Sequence, residues 1–355
     1  VLNLDNPDIY NRLDPANMRA HLHHLPEQCH QAWQKAKAFP LPSDYVHIDK
    51  IVILGVGGSA IGGDLMRGLT YFLSTPIIFV HRDCDLPPFV DDRTLIIASS
   101  YSGMTEETLS AFHQALKTKA KKLAITTGGK LKELAERHNV PVFIIDYSSP
   151  PRAALGYSFI PLLVFLHKLG FLKDEPSIEP MIKDLKALVK KLKETEPVSS
   201  NPAKQLATEL YGKLVVIYGA GILSEVAHRW KTQFNENSKA WAFYEVFPEL
   251  NHNAIVGYHF PGEVAKQVYV VLLRSPSFPP PILRRYEVTA EILTKFDIKH
   301  KIVDSQGESE LSQMMGLVFL GDWVSYYLSI LYEIDPTPVG AINYLKHRLR
   351  SIIAQ

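Results

Sequence analysis

Between residues 51 and 54 the chain reads Ile-Val-Ile-Leu, an unbroken apolar run of strand length. It then turns abruptly to glycine and serine before an amphipathic stretch over 61–70. Short apolar runs bounded by turn residues predict strands covered on both faces. They recur at 76–80, 95–98, 123–127 and 142–145, and stretches with a helical apolar period lie between them, among them 130–138 and 157–169. Strand alternating with helix in this way predicts a doubly wound α/β unit with a parallel sheet. Past a proline-punctuated stretch around one amphipathic helix at 182–192, the same grammar restarts. Strands are predicted at 214–218, 241–244, 268–273 and 299–303, helices at 224–234, 281–296 and 309–331, and a terminal helix over 341–353. Ahead of everything, a polar arm over 5–15 leads into a helix over 18–39. The pattern divides the chain into an N-terminal arm and helix (1–40), a first α/β domain (41–172), a connector (173–202), a second α/β domain (203–334) and a C-terminal segment with its helix (335–355).

Composition narrows the class of partner. With 38 Lys and Arg against 37 Asp and Glu the formal net charge is +1, which excludes the broad basic footprint of a nucleic-acid binder. The two cysteines, Cys29 and Cys84, have no metal-ligand spacing and fit a reducing compartment. The first fifteen residues carry acids where a signal peptide needs a basic and then an apolar stretch, and no apolar run reaches the length of a membrane span. A soluble, cytoplasmic protein is therefore expected, with no membrane partner. His21, His23, His24 and His30 crowd one helix but lack acidic or cysteine partners at ligand spacing, so they read as helix-face side chains. Lys117, Lys119, Lys121 and Lys122 read as a solvated helix end.

The chemistry concentrates at the ends of predicted strands. Gly55, Gly57, Gly58 and Ser59 follow the first strand and precede a helix, the arrangement in which backbone amides and a hydroxyl cradle an anion. The dinucleotide pattern is incomplete, since Ala60 stands at the third glycine, and the Walker A pattern is absent. A second loop repeats the logic after the third strand: Ser100, Ser102 and Thr105 offer three hydroxyls to one anion, and neighbouring strands would aim both loops at one crevice. Helix capping by Ser59, and the ordinary liking of helix starts for Glu106 and Glu107, is the plainer explanation of each loop. Arg152 opens an apolar helix, where the helix dipole disfavours a cation, and so calls for a local anion. Two polar clusters, residues 233–239 and 247–253, sit in apolar surroundings. Glu236 among amides is suited to a general base, and His252 to proton shuttling. A capped helix end followed by a polar turn would produce the same clusters.

Taken together, GVGGSAIGGD, SYSGMTEET, PPRAALGY, FNENSKA and FPELNHN resemble, in order and over residues 17–349, the bifunctional phosphoglucose/phosphomannose isomerases, a branch of the phosphoglucose isomerase superfamily built from two sugar isomerase (SIS) domains. The resemblance implies interconversion, without cofactor or metal, of glucose 6-phosphate and mannose 6-phosphate with fructose 6-phosphate, in sugar metabolism of the glycolysis and gluconeogenesis type. It implies a homodimer in which the histidine of ELNHN enters its neighbour's site. Carried over residue by residue, it puts Gly58, Ser59, Ser100, Ser102 and Thr105 at the sugar phosphate, Glu236 as the base between C1 and C2, Arg152 at the cis-enediol(ate), and His252 with Lys346 at ring opening. One departure stands out: conventional phosphoglucose isomerases carry glutamine seven residues before this lysine, and here Val339 occupies that position, beside Thr337 and Pro338. That altered floor resembles the dual-specificity branch. A binding-only SIS regulator would keep the loop hydroxyls without the proton-transfer residues, a hexosamine synthase would need a further glutaminase domain, and a dinucleotide oxidoreductase would need a better-placed acid than Asp83.

Overall fold

The computed structural model describes residues 2–73 and 75–353. Asp14 ends the short helix α1 (Asp8–Leu13) and starts the long α2 (Met18–Ala38), its carboxylate accepting from the amides of Met18 and Arg19 at 2.6 and 3.0 Å. That satisfies two of the donors a helix start leaves free. The first sheet follows. β1 (Lys50–Leu54) leads through the glycine turn to α3 (Ile61–Thr70) and β2 (Ile77–His81); β3 (Thr94–Ser99) to α4 (Glu106–Ala115); β4 (Lys121–Thr126) to α5 (Gly129–Arg137); and β5 (Val142–Ile144) to the apolar α6 (Leu155–Lys168). Its five strands are parallel in the order β2-β1-β3-β4-β5. Alternation along the strands decides which helix covers which face. Ile51, Ile53, Leu95 and Ile97 join the core with α2, α3 and α6, whereas Val52, Leu54, Ile96 and Ala98 pack on the side of α4 and α5.

α7 (Ile178–Leu192) buries its apolar stripe against α2, and α8 (Pro202–Leu210), which the strand and helix pattern did not predict, starts on Asn201, whose side chain caps it. The second sheet is built from β6 (Leu214–Ala220), α9 (Ser224–Glu236), β7 (Ala242–Phe247), the single turn α10 (Gly262–Ala265), β8 (Val268–Arg274), α11 (Pro280–Lys295) and β9 (Lys299–Asp304). It is parallel, in the order β7-β6-β8-β9. α12 (Glu310–Leu331) then runs through the middle of the protein against α7, α8 and α9, and α13 (Gly340–Ile353) closes the chain. One continuous apolar core joins the inner faces of both sheets through α2, α6, α7 and α12. Among the described residues α12 is the one helix long and apolar enough to cross a membrane, but 89% of its apolar window is buried inside the protein.

One local expectation is corrected. Lys117 and Lys119 follow α4, which ends at Ala115, and Lys121 and Lys122 open β4. Lys122 is not solvated at its tip, since its ammonium donates to the carbonyls of Thr118 and Ala120 at 2.8 and 2.7 Å. A run of lysines carries no period, so only the turn at 116–120 determines which side of it is strand.

Candidate active site

β1 and β3 are neighbours in a parallel sheet, so the turns after their C-terminal ends open on the same crevice. The two turns are tied together. Ser59 Oγ accepts from the amide of Tyr101 at 3.0 Å, and Ser99 Oγ donates to the carbonyl of Ser59 at 3.0 Å. Ser100 and Thr105 hydroxyls lie 2.8 Å apart, Ser100 fully buried. Ser102 points outward and accepts from the Met104 amide at 3.2 Å. Gly103, at φ 64°, packs so closely on the turn after β4 that a Cβ would sit 1.8 Å from the Gly128 carbonyl oxygen, which fixes the second loop against the third. The structure therefore brings Ser59, Ser100 and Thr105 together, with Ser102 on the rim.

Gly58 connects these loops to Arg152. A Cβ there would meet the backbone of Pro151 and Arg152 at 2.9 Å, so only glycine allows the two turns to touch. Arg152 is 4% exposed and engages all three of its guanidinium nitrogens: Nε donates to Asn237 Oδ1 at 2.7 Å, Nη1 to Glu236 Oε2 at 3.3 Å, and Nη2 to the carbonyls of Pro336 and Thr337 at 2.8 and 3.0 Å. Burial pulls its basicity down and the Glu236 carboxylate counters that pull. Glu236 ends α9 and stays partly open to solvent. Glu236, Arg152, Gly57 and Gly58 line one cavity of about 70 Å³.

Behind the pair stands a buried network that joins part of the 233–239 cluster to Arg229, Asp322 and Ser325, which sequence reasoning missed. Arg229 Nη2 donates to Asp322 at 2.8 Å and to the Arg152 carbonyl at 3.1 Å, Gln233 donates to the other Asp322 oxygen at 2.8 Å, and Asn237 and Ser238 donate to Ser325. Its visible signal was Asp322, the one charge in the interior of an otherwise apolar helix. Lys239, one residue beyond the Asn-Glu-Asn-Ser stretch, donates to the carbonyls of Glu236 and Pro336 at 2.7 and 2.8 Å and so straps the C-terminal segment to the end of α9. Burial, then the charge of Arg152, pushes its ammonium down to about 8.

Two further predicted residues are exposed and are not among those lining that cavity. His252 is exposed in the turn beyond β7. β7 runs parallel to β6 and α9 runs back between them, so Glu236 and His252 sit at opposite ends of that sheet, separated by the length of α9, about 20 Å. Lys346 is exposed in the second turn of α13. Of the four helix-face histidines, His21 bonds Tyr147 at 2.7 Å and His23 bonds Glu194 at 2.8 Å. Asp64, Glu225 and His228 have ligand-type atoms within 4.8 Å of one another. Arg67 and Arg82 already compensate those carboxylates, which makes the group an ion-pair chain rather than a cation seat.

Comparison with known proteins follows the same outline. Residues 199–349 match the family model described as the bacterial phospho-glucose isomerase C-terminal SIS domain. A bifunctional phosphoglucose/phosphomannose isomerase of Caldicellulosiruptor bescii is 44% identical, the alignment covering 93% of this chain and 98% of that protein. A D-glucosamine-6-phosphate 4-epimerase of Sulfolobus acidocaldarius is 31% identical over 86% of this chain and 90% of its own. Among solved structures, a hypothetical protein of Thermus thermophilus superposes with a TM-score of 0.72 at 17% identity, covering 96% of this chain and 91% of its own, a likeness of fold alone.

Proposed function

Because the chain belongs to the SIS-domain family of the bifunctional phosphoglucose/phosphomannose isomerases, we propose that this phosphosugar isomerase interconverts glucose 6-phosphate and mannose 6-phosphate with fructose 6-phosphate. The observation that carries the reading is the carboxylate of Glu236 beside the buried guanidinium of Arg152 in a cavity floored by Gly57 and Gly58. Aldose-ketose isomerisation needs one base reachable from two adjacent carbons. Glu236 takes the proton from C2 of the open-chain aldose, the C2–H electron pair forms the C1–C2 double bond, and the carbonyl oxygen at C1 takes up the negative charge. Arg152 faces that oxyanion with a fixed positive charge, which acts strongly because it needs no reorganisation during the step. Transfer of the O2 hydroxyl proton to the O1 oxyanion and return of the abstracted proton from Glu236 to C1, with O2 becoming the carbonyl, give the ketose. Protonating the planar intermediate at C2 from either face yields the two epimeric aldoses. The room for this is assigned to Thr337, Pro338 and Val339, and the Thr337 carbonyl lies 3.0 Å from Arg152.

In the same reading Gly58, Ser59, Ser100, Ser102 and Thr105 hold the phosphate, whose binding energy orients the reacting end. His252 and Lys346 open the sugar ring. The separation of His252 from Glu236 within one chain supports a site completed by a second copy. So do the exposed apolar residues of α13, among them Tyr344 and Ile352 at 69% and 60%, and Trp241 at 77%. We divide the chain accordingly into two SIS domains, 41–172 and 203–334, joined by 173–202. The epimerase relative favours a second reading, chemistry on an amino sugar 6-phosphate. A coupled assay on chelator-treated protein, run separately with glucose 6-phosphate, mannose 6-phosphate and glucosamine 6-phosphate, distinguishes them. Fructose 6-phosphate is expected from the first two; turnover of glucosamine 6-phosphate alone would replace the proposal by the second reading, and inactivity on all three would reduce the chain to a binding protein.

A further inference from the structure

The cavity that holds Glu236 has another wall, made by Arg82 in the loop after β2 and by His228 two turns upstream of Glu236 on α9. His228, Thr232 and Glu236 stand four residues apart, so one helix face lines the cavity for about 12 Å. Arg82 is aimed by an anion it does not share with solvent: its Nη2 donates to Asp64, which is 1% exposed in the first turn of α3. A buried carboxylate is tolerated only with a partner close by, so the position of Asp64 determines the position of Arg82. The chain of charges goes on. Asp64 lies 3.5 Å from Arg67, Arg67 donates to Glu225 at 2.6 Å, and the other Glu225 oxygen lies 3.5 Å from His228 Nδ1. The chain thus starts and finishes on the cavity wall, with Asp64, Arg67 and Glu225 behind it joining α3 to α9.

A guanidinium carries five N–H donors, and among the described residues Arg82 uses only those of Nη2. Arg152, in contrast, has every nitrogen engaged by protein groups. We propose that Arg82 is a further substrate-contacting residue, its free Nε and Nη1 gripping oxygens of the open-chain sugar phosphate, with Asp64 as the residue that positions it. The ligand class rests on the isomerase reading; the role of Arg82 rests on the cavity. Arg152 then holds the local structure and faces the oxyanion as a fixed charge, while Arg82 supplies the directional contacts that orient the chain of hydroxyls over Glu236.

The test uses the full chain and titration calorimetry with 5-phospho-D-arabinonate, whose planar carboxylate imitates the O1/O2 pair of the enediolate, and with inorganic phosphate as the control. Arg82→Gln should weaken the aldonate by roughly tenfold to a hundredfold, the scale of one charge-assisted hydrogen bond, while phosphate affinity moves less than about threefold on the same scale. Arg82→Lys should recover part of the loss, which damage to the fold would not. Removing Arg82 leaves Asp64 with less compensation, so the double variant Arg82→Gln/Asp64→Asn, which removes both charges, carries the test if the single variant fails to fold. In the isomerase assay Asp64→Asn alone should raise KM for the sugar phosphate more than it lowers kcat. An aldonate affinity unchanged by Arg82→Gln or by the double variant overturns the inference even when the wild type isomerises sugars, as does wild-type protein that binds phosphate but no aldonate. Wild-type protein that turns over no hexose phosphate removes the isomerase reading and leaves the calorimetric comparison to decide Arg82.

Discussion

Glu236 and Arg152 show how much one contact must do when both groups belong to the chemistry. At 3.3 Å the pair is close enough for attraction but long for a strong ionic hydrogen bond, and Glu236 keeps an open side toward the cavity. A second contact from the same carboxylate would leave it less free to reach a substrate; a missing one would leave a buried guanidinium uncompensated. The amides around it resolve this. Asn237 takes the Nε donor and two carbonyls take Nη2, so Arg152 is held without drawing on Glu236 for more than one contact. Glu236→Gln preserves shape and most hydrogen bonding but removes the base, so turnover should fall by the ~10²–10⁴-fold attributed to general base catalysis with affinity for the sugar phosphate largely kept. Solvent deuterium exchange at C2, measured on open-chain substrate beside a binding titration, checks it: near-normal exchange would move the base role to another group. The sequence pointed to both residues, but by different routes. Arg152 was legible as a cation opening toward an apolar helix, and it lies in the short turn Pro151–Ala153 ahead of α6; Glu236 was legible only as part of a polar cluster, because nothing local distinguishes a base from a capping acid.

At the scale of elements, the site depends on where helices end. α9 stops after Glu236, and its last turn is held to the C-terminal segment by the Lys239 strap, which joins the Glu236 and Pro336 carbonyls. The Glu236 carbonyl is also at the negative end of the α9 dipole, so a cation there is well placed. Lys239 has its folded-state pKa near 8, below the ordinary lysine value of about 10.4. A lysine depressed in this way penalises the fold while it is charged. Folding therefore releases a proton between the two values, and stability contributed at this site should rise as pH goes from about 8 toward 10. Chemical denaturation of wild type and Lys239→Met across that range should show the rise in the wild type and a flatter profile in the variant; parallel profiles would mean the ammonium titrates normally. Glycines set the other element junctions. Gly62 lets α3 lie against α6, where a Cβ would meet the Ser158 carbonyl oxygen at 2.2 Å, and Gly58 does the same for the turns that meet at Arg152.

For the whole molecule the central fact is the continuous core. α12 and α7 pack between the two sheets, so the halves are coupled through shared side chains and the cavity forms where they meet. What the single chain leaves apart is equally informative: His252 faces solvent at the far end of the second sheet, and α13 carries its apolar side chains in the open. If a symmetric pair completes the site, mixing His252→Ala protomers with Glu236→Gln protomers should restore activity, because one of the two composite sites then regains both groups. No recovery after subunit exchange, followed by mass or fluorescence, would mean that each site is built within one chain.

Apart from α8 and the lysine run that opens β4, strand positions, helix positions and the two hydroxyl-bearing turns were determined by the sequence itself, because buried strands and covered helix faces write their periods locally and each turn needs its glycine where the backbone is crowded. The same locality put the acids of α4 at its first turn. Tertiary structure alone decided the rest. Asp322 is 93 residues from Arg229, and the Pro336 and Thr337 carbonyls are 184 and 185 residues from Arg152. Asp64 meets Arg82 across a helix and a strand. No period or spacing encodes such pairs. They form because apolar elements that must bury their faces bring polar groups along with them, and each buried charge then requires whatever partner the packing has placed within reach.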